Sequence, residues 1–121
     1  MQTVGQRREE WPVGAELGTV TIGGDPAAVQ TCGEVRDLPV YGPGGYHWAP
    51  KRGDSVLVIK GGPGGEEQCI AGAASGGEML EPGEILIRTG EATLRMSADG
   101  RIDLNGNLYI NGEPYVAPLT E

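Results

Sequence analysis

Phenylalanine is absent from this chain of 121 residues, and two Trp and four Tyr are its only aromatic residues. A large single core is hard to assemble from such side chains. Chains of this length bury too little surface to be robust alone, so oligomerisation is the natural remedy. Histidine occurs once and cysteine twice. His47 has no second His or Cys near it in sequence, which excludes the short-spaced ligand clusters of transition-metal sites, and no cofactor is expected. Cys32 and Cys69 are far apart, in no C-x-x-C arrangement, and are read as buried thiols in preference to a disulfide.

Catalytic motifs are missing too. Ser55, Ser75 and Ser97 stand in D-S-V, A-S-G and M-S-A contexts, none of them a nucleophile elbow. The loop KGGPGGEEQ lacks the Gly-Lys-Ser/Thr of a phosphate loop, and Glu66-Glu67 would repel phosphate, so it is read as a hairpin loop. The pairs Glu9-Glu10 and Glu66-Glu67 have no aromatic cleft residues beside them for glycoside chemistry. No catalytic residue is assigned and an enzyme is not expected.

Basic residues are outnumbered, with nine Lys+Arg against seventeen Asp+Glu and a net charge of −8. Such a surface repels phosphate backbones, so DNA and RNA are not expected partners. No apolar run approaches the roughly 18 residues of a membrane span, and TVGQRREEWPVG carries no secretory core. Cytoplasmic synthesis without a stable membrane anchor is the expectation.

What is abundant is glycine, twenty-two residues spaced so that no Gly-free stretch exceeds nine. Helices average about 10–14 residues, so an all-β chain of short strands is predicted. Ala15–Ile22, Ala28–Val35, Asp54–Lys60 and Glu67–Ala73 have strand length and β-branched content. About five antiparallel strands with one long connection, Tyr41–Gly53, predict a small Greek-key barrel of the oligonucleotide/oligosaccharide-binding (OB) type over 15–74, after an N-terminal arm at 1–14.

The pattern changes after a polar linker at 75–83. Ile85 and Ile87, then Ala92, Leu94, Met96 and Ala98, then Ile102 and Leu104, then Leu108 and Ile110 alternate with polar residues. RIDLNG and NLYING are tandem units, each closed by Asn-Gly. A two-residue hairpin at Asn105-Gly106 would set Leu104 opposite Asn107 and Asp103 opposite Leu108, sending apolar residues to opposite faces. The better alternative is a chain winding onward with Ile102, Leu104, Leu108 and Ile110 on one inner side. A ribbon with one apolar face and no second layer cannot offset its ordering entropy alone. Three copies about one axis would supply the missing layer, with Leu94, Met96, Ile102, Leu104, Leu108 and Ile110 as core and Gly90, Gly100, Gly106 and Gly112 at the corners.

The order of barrel, Gly-rich bridge and alternating repeats resembles the central spike, or baseplate assembly protein V, class of contractile-tailed bacteriophages, particularly the Mu-like spikes. YGPGGYHWAPKRGDSVLVIKGG and GEILIRTGEATLRMSADGRIDLNGNLYING carry the likeness. It implies a homotrimer with an OB-like barrel docked on tail hub and baseplate proteins, an intertwined triple-stranded β-helix stem at 84–114, and a tip or tail at 115–121. It implies a virion protein, assembled in the bacterial cytoplasm, that pierces the host envelope mechanically when the sheath contracts. Related contractile injection systems share the architecture. Many such spikes bind iron through His-x-His near the C-terminus, a motif this sequence lacks.

Tyr41, Tyr46, His47 and Trp48 form a candidate partner-binding loop, for a sugar, a protein or a neighbouring subunit. Trp11-Pro12 is read either as a clip onto a hub partner or as cover for the barrel's edge. Tyr115, Val116 and Leu119 are a candidate tip: a plug over the axis, a dock for a separate tip protein, or a frayed tail. A carbohydrate-binding barrel module acting in host recognition is the alternative function. A hexapeptide β-solenoid acyltransferase is weaker still, since two units build no coil.

Overall fold

A computed structural model describes residues 14–77 and 79–117. The expectations for Trp11-Pro12 and Leu119 lie outside them. Among the described residues there is no helix and the chain is all-β, its strands paired in antiparallel sheets. Compact units divide between Gly76 and Gly77.

The first unit holds β1 (Ala15–Ile22), β2 (Ala27–Gln30), β3 (Glu34–Leu38), β4 (Ser55–Gly61) and β5 (Glu67–Ala73) in the sheet order β3-β2-β1-β4-β5. Just past β3, Val40 makes a parallel bridge to Ile70 of β5. Ile70 donates its N–H to the Pro39 carbonyl and accepts the Tyr41 N–H, both at 2.9 Å. The two outer strands of the sheet order are thus tied at one point.

The expected single strand Ala28–Val35 is corrected to two. The chain reverses at Thr31-Cys32-Gly33, and Gln30 pairs with Glu34. β3 hides from an alternation reading because Asp37 sits at a φ of 59° and shifts the register between Val35 and Leu38, the residues that face inward. Further shifts occur in β1, between Val20 and Ile22, and between β4 and β5 near Ala71. Bulges of this kind bend and twist a sheet, which lets five short strands wrap round few side chains.

Those side chains are small. Val20, Ala27, Val29, Leu38, Val56, Val58 and Ile70 form the buried cluster, with Val35, Val40 and Trp48 packed against it. Gly18 belongs to the same packing: a Cβ there would lie 2.4 Å from Cγ1 of Val29 and 3.0 Å from the Gln30 carbonyl. Outward-facing partners obey the opposite parity, with Leu17 opposite Leu57 and Gly72 beyond it, and Ala15 opposite Ile59 with Cys69 beyond. Both cysteines are free, Cys32 exposed and Cys69 half-buried. The expectation of buried thiols therefore fails for Cys32, which lies in the turn between β2 and β3 and approaches Glu16.

The second unit holds β6 (Ile85–Thr89), β7 (Ala92–Met96) and β8 (Ile102–Asn105) as a meander, and β9 (Tyr109–Ile110) with β10 (Glu113–Pro114) as a small hairpin. The meander reverses between β6 and β7 and again between β7 and β8. Thr89 pairs with Ala92 round Gly90-Glu91, and a φ of 56° at Gly90 provides the tight reversal whose twist suits adjacent strands. A wider loop, closed by Ser97 N–H to Arg101 carbonyl at 2.9 Å, joins β7 to β8. At Asn105-Gly106 no hairpin forms, because β8 pairs with β7 and β9 pairs with β10.

Two mid-strand glycines should respond oppositely to a methyl group. Gly18→Ala is expected to lower stability by about 1–3 kcal/mol through overpacking. Gly72→Ala, whose Cβ would meet nothing within 4 Å, should change it little, and denaturant melts of the two variants check the contrast.

Candidate functional site

The meander of the second unit sorts its side chains by register. Ile85, Met96 and Ile102 form one cross-strand row, and Ile87, Leu94 and Leu104 form the next, on the same face. The reverse face carries Leu86, Arg95 and Asp103 in one row and Arg88, Thr93 and Asn105 in the other. Strand parity alone produces this separation, since every second residue of three paired strands is apolar.

Hydrogen bonds hold the polar face. Arg95 donates to Glu84 at 3.1 Å, Ser97 donates to the other Glu84 oxygen at 3.3 Å, and the Glu81 N–H reaches Glu84 at 3.0 Å. Glu84 is the more enclosed partner of that ion pair, 14% exposed against 35% for Arg95. Arg101 pairs with Asp103, and Asn105 donates to the Thr93 hydroxyl at 3.2 Å. The apolar face has no such cover. Ile102 is 63% and Leu104 59% exposed, and Ile85 and Ile87 are exposed as well.

An open groove of about 670 Å³ runs along this face, lined in part by Ile87, Leu94, Leu104, Leu108, Tyr109 and Tyr115. Of the six predicted core residues, Leu94, Leu104 and Leu108 line it, and Met96 and Ile102 extend the same sheet face. Ile110 lies instead in the two-stranded hairpin and is exposed. Ile85, Ile87 and Tyr109 were missed as site residues, and Tyr115, read as part of a tip, lines this groove. Alternation already marked Ile85 and Ile87, but their pairing with Met96 and Leu94 needed the register.

The four corner glycines, Gly90, Gly100, Gly106 and Gly112, all have positive φ. Asn111 joins Gly112 at positive φ, 53° and 81°, the two-residue turn for which Asn-Gly is suited. The chain therefore turns back here. Glu113 pairs with Ile110 and Pro114 with Tyr109, and the Tyr115 N–H reaches the Leu108 carbonyl at 2.8 Å. Antiparallel pairs alternate between hydrogen-bonded and non-bonded. Pro114 falls between two bonded positions, so its missing N–H removes nothing. Tyr115 is thus held beside Leu108, and Val116 is exposed.

The aromatic loop of the first unit is divided. Trp48 turns in, packs against the core and donates its indole N–H to the Tyr41 carbonyl at 3.1 Å. Tyr41, Tyr46 and His47 remain exposed. On β3, the Glu34 carboxyl is held below its ordinary value, first by the Thr21 hydroxyl and then by the Arg36 guanidinium, with burial opposing them. Among the described residues, no group of three or more His, Cys, Asp or Glu is placed to hold a metal ion. Neither the protein-family models nor the curated proteins give a match to this chain.

Two outcomes test these networks. Glu84→Gln should cost the second unit about 1 kcal/mol, since a partly enclosed guanidinium loses its charged partner, and a denaturant melt reads this. A lowered carboxyl value stabilises the fold above the unfolded-state value and loses that contribution as pH falls through the folded one. Thr21→Val should move the Glu34 titration upward, as read by NMR of its carboxyl.

Proposed function

We propose that the chain is the structural central spike of a contractile phage tail or related injection system, a non-enzymatic homotrimer that pierces a cell envelope mechanically. One observation carries it: the second unit has an apolar sheet face with no second layer. Covering side chains such as Ile87, Leu94 and Leu104 is worth about 1.5–3 kcal/mol each, and three copies about an axis cover them mutually. The intertwined triple β-helix belongs to this proposal. So does the OB-like barrel, which the order β3-β2-β1-β4-β5 and the parallel Val40–Ile70 bridge support. An acidic chain suits docking on hub and baseplate proteins and not on nucleic acid.

The exposure of Tyr41 (61%) and Tyr46 (64%) favours a second reading, a sugar-binding module. With Trp48 turned inward, the loop presents two aromatic rings instead of three. Binding of cell-wall sugars by a monomeric chain would select that reading over the spike.

Sedimentation should return three times the chain mass of 12.6 kDa. Leu104→Asp would bring three carboxylates to one axis, at a cost of several kcal/mol per buried ion, and should leave monomers. A variant that still sediments as a trimer of unchanged stability would remove the stem from the proposal. Elemental analysis of the purified trimer should find no stoichiometric iron or zinc.

A further inference from the structure

We infer that a second copy of this chain packs on the apolar middle of the outer face of β1, β4 and β5, so that first units within one assembly touch through Leu17, Leu57 and Gly72. The inference rests on the trimeric reading above. Leu17, Leu57 and Gly72 form the middle row of the face, with Ala15, Ile59 and Cys69 beside them. Leu17 sits mid-strand yet is 81% exposed. An open groove passes over Leu17, Leu57 and Gly72, and beside Leu57 a Cβ on Gly72 would meet nothing within 4 Å. A protruding leucine next to a glycine-floored depression is a knob beside a hole.

Charge and size select the occupant. Copies with a net charge of −8 repel where their charged surfaces meet, and the rows of Leu17, Leu57 and Gly72 and of Ala15, Ile59 and Cys69 carry no charge, Glu67 standing one row further out beside Gly61. Three strands about 4.8 Å apart and three rows about 7 Å apart cover roughly 300 Å². A freely diffusing partner needs about 800 Å² on each side to form a stable complex. Copies already joined elsewhere meet at an effective concentration in the millimolar range, where a small contact suffices. The tethered second copy is the partner that this area fits.

The test uses the full chain with Cys32→Ser and Cys69→Ala, and with Leu17→Cys as its single thiol, treated with a short bis-maleimide. Covalent dimers are expected, at most one per assembly with the third chain left single, in a yield that does not fall on dilution. The same thiol placed by Arg36→Cys on β3, off this face, should lose the bridging. A protein with the mass of three copies and no bridging at Leu17 overturns the contact and leaves the spike reading standing. That is also the result if a different protein, or residues 1–13 of the same chain, occupies the face. A monomeric mass overturns both.

Discussion

An apolar sheet face is stable only when a second layer removes it from water, and the second unit provides one layer. Its three strands present Ile85, Met96 and Ile102, then Ile87, Leu94 and Leu104, to the same side. The other side is closed by its own polar contacts, Glu84 with Arg95 and Ser97, and Asn105 with Thr93. Water and hydrogen bonds satisfy that side without help. The free energy still available in the unit lies in the uncovered face, and the proposed three-fold assembly uses it.

The first unit meets a shortage of large side chains differently. With no phenylalanine, its core is four valines, one isoleucine, one leucine and an alanine. Small side chains fill a space only if the backbone closes tightly round them, and three register shifts together with Gly18 allow that approach. Trp48 covers the cluster from the long loop, which is why its indole points inward while Tyr41 and Tyr46 face solvent. The mid-strand face around Leu17 and Leu57 is left over from this inward packing.

Much of this was legible from alternation and turn chemistry. β1 and β5 run over the residues that their β-branched content marked, and the parity objection to a hairpin at Asn105-Gly106 agrees with the pairing found. Other elements carried no local signal. β3 reads as polar because Arg36 and Asp37 form a bulge that conceals the spacing of Val35 and Leu38. Asn111-Gly112 closes the second tandem unit, and only the structure shows that it turns the chain back on itself. Pro114 occupies a position that needs no N–H. The aromatic loop read as one surface until Trp48 proved to pack against the core.

By itself the sequence determined that the described chain is all-β and that its later strands share one apolar face. Glycine spacing and period-two alternation are local properties, and a strand's two faces follow from them without knowledge of its neighbours. Only the tertiary structure decided which strands pair, where they reverse, and which apolar residues stay exposed. Those outcomes depend on register. Register arises from bulges and from contacts between residues distant in sequence, such as Val40 with Ile70, which no short stretch of the chain encodes.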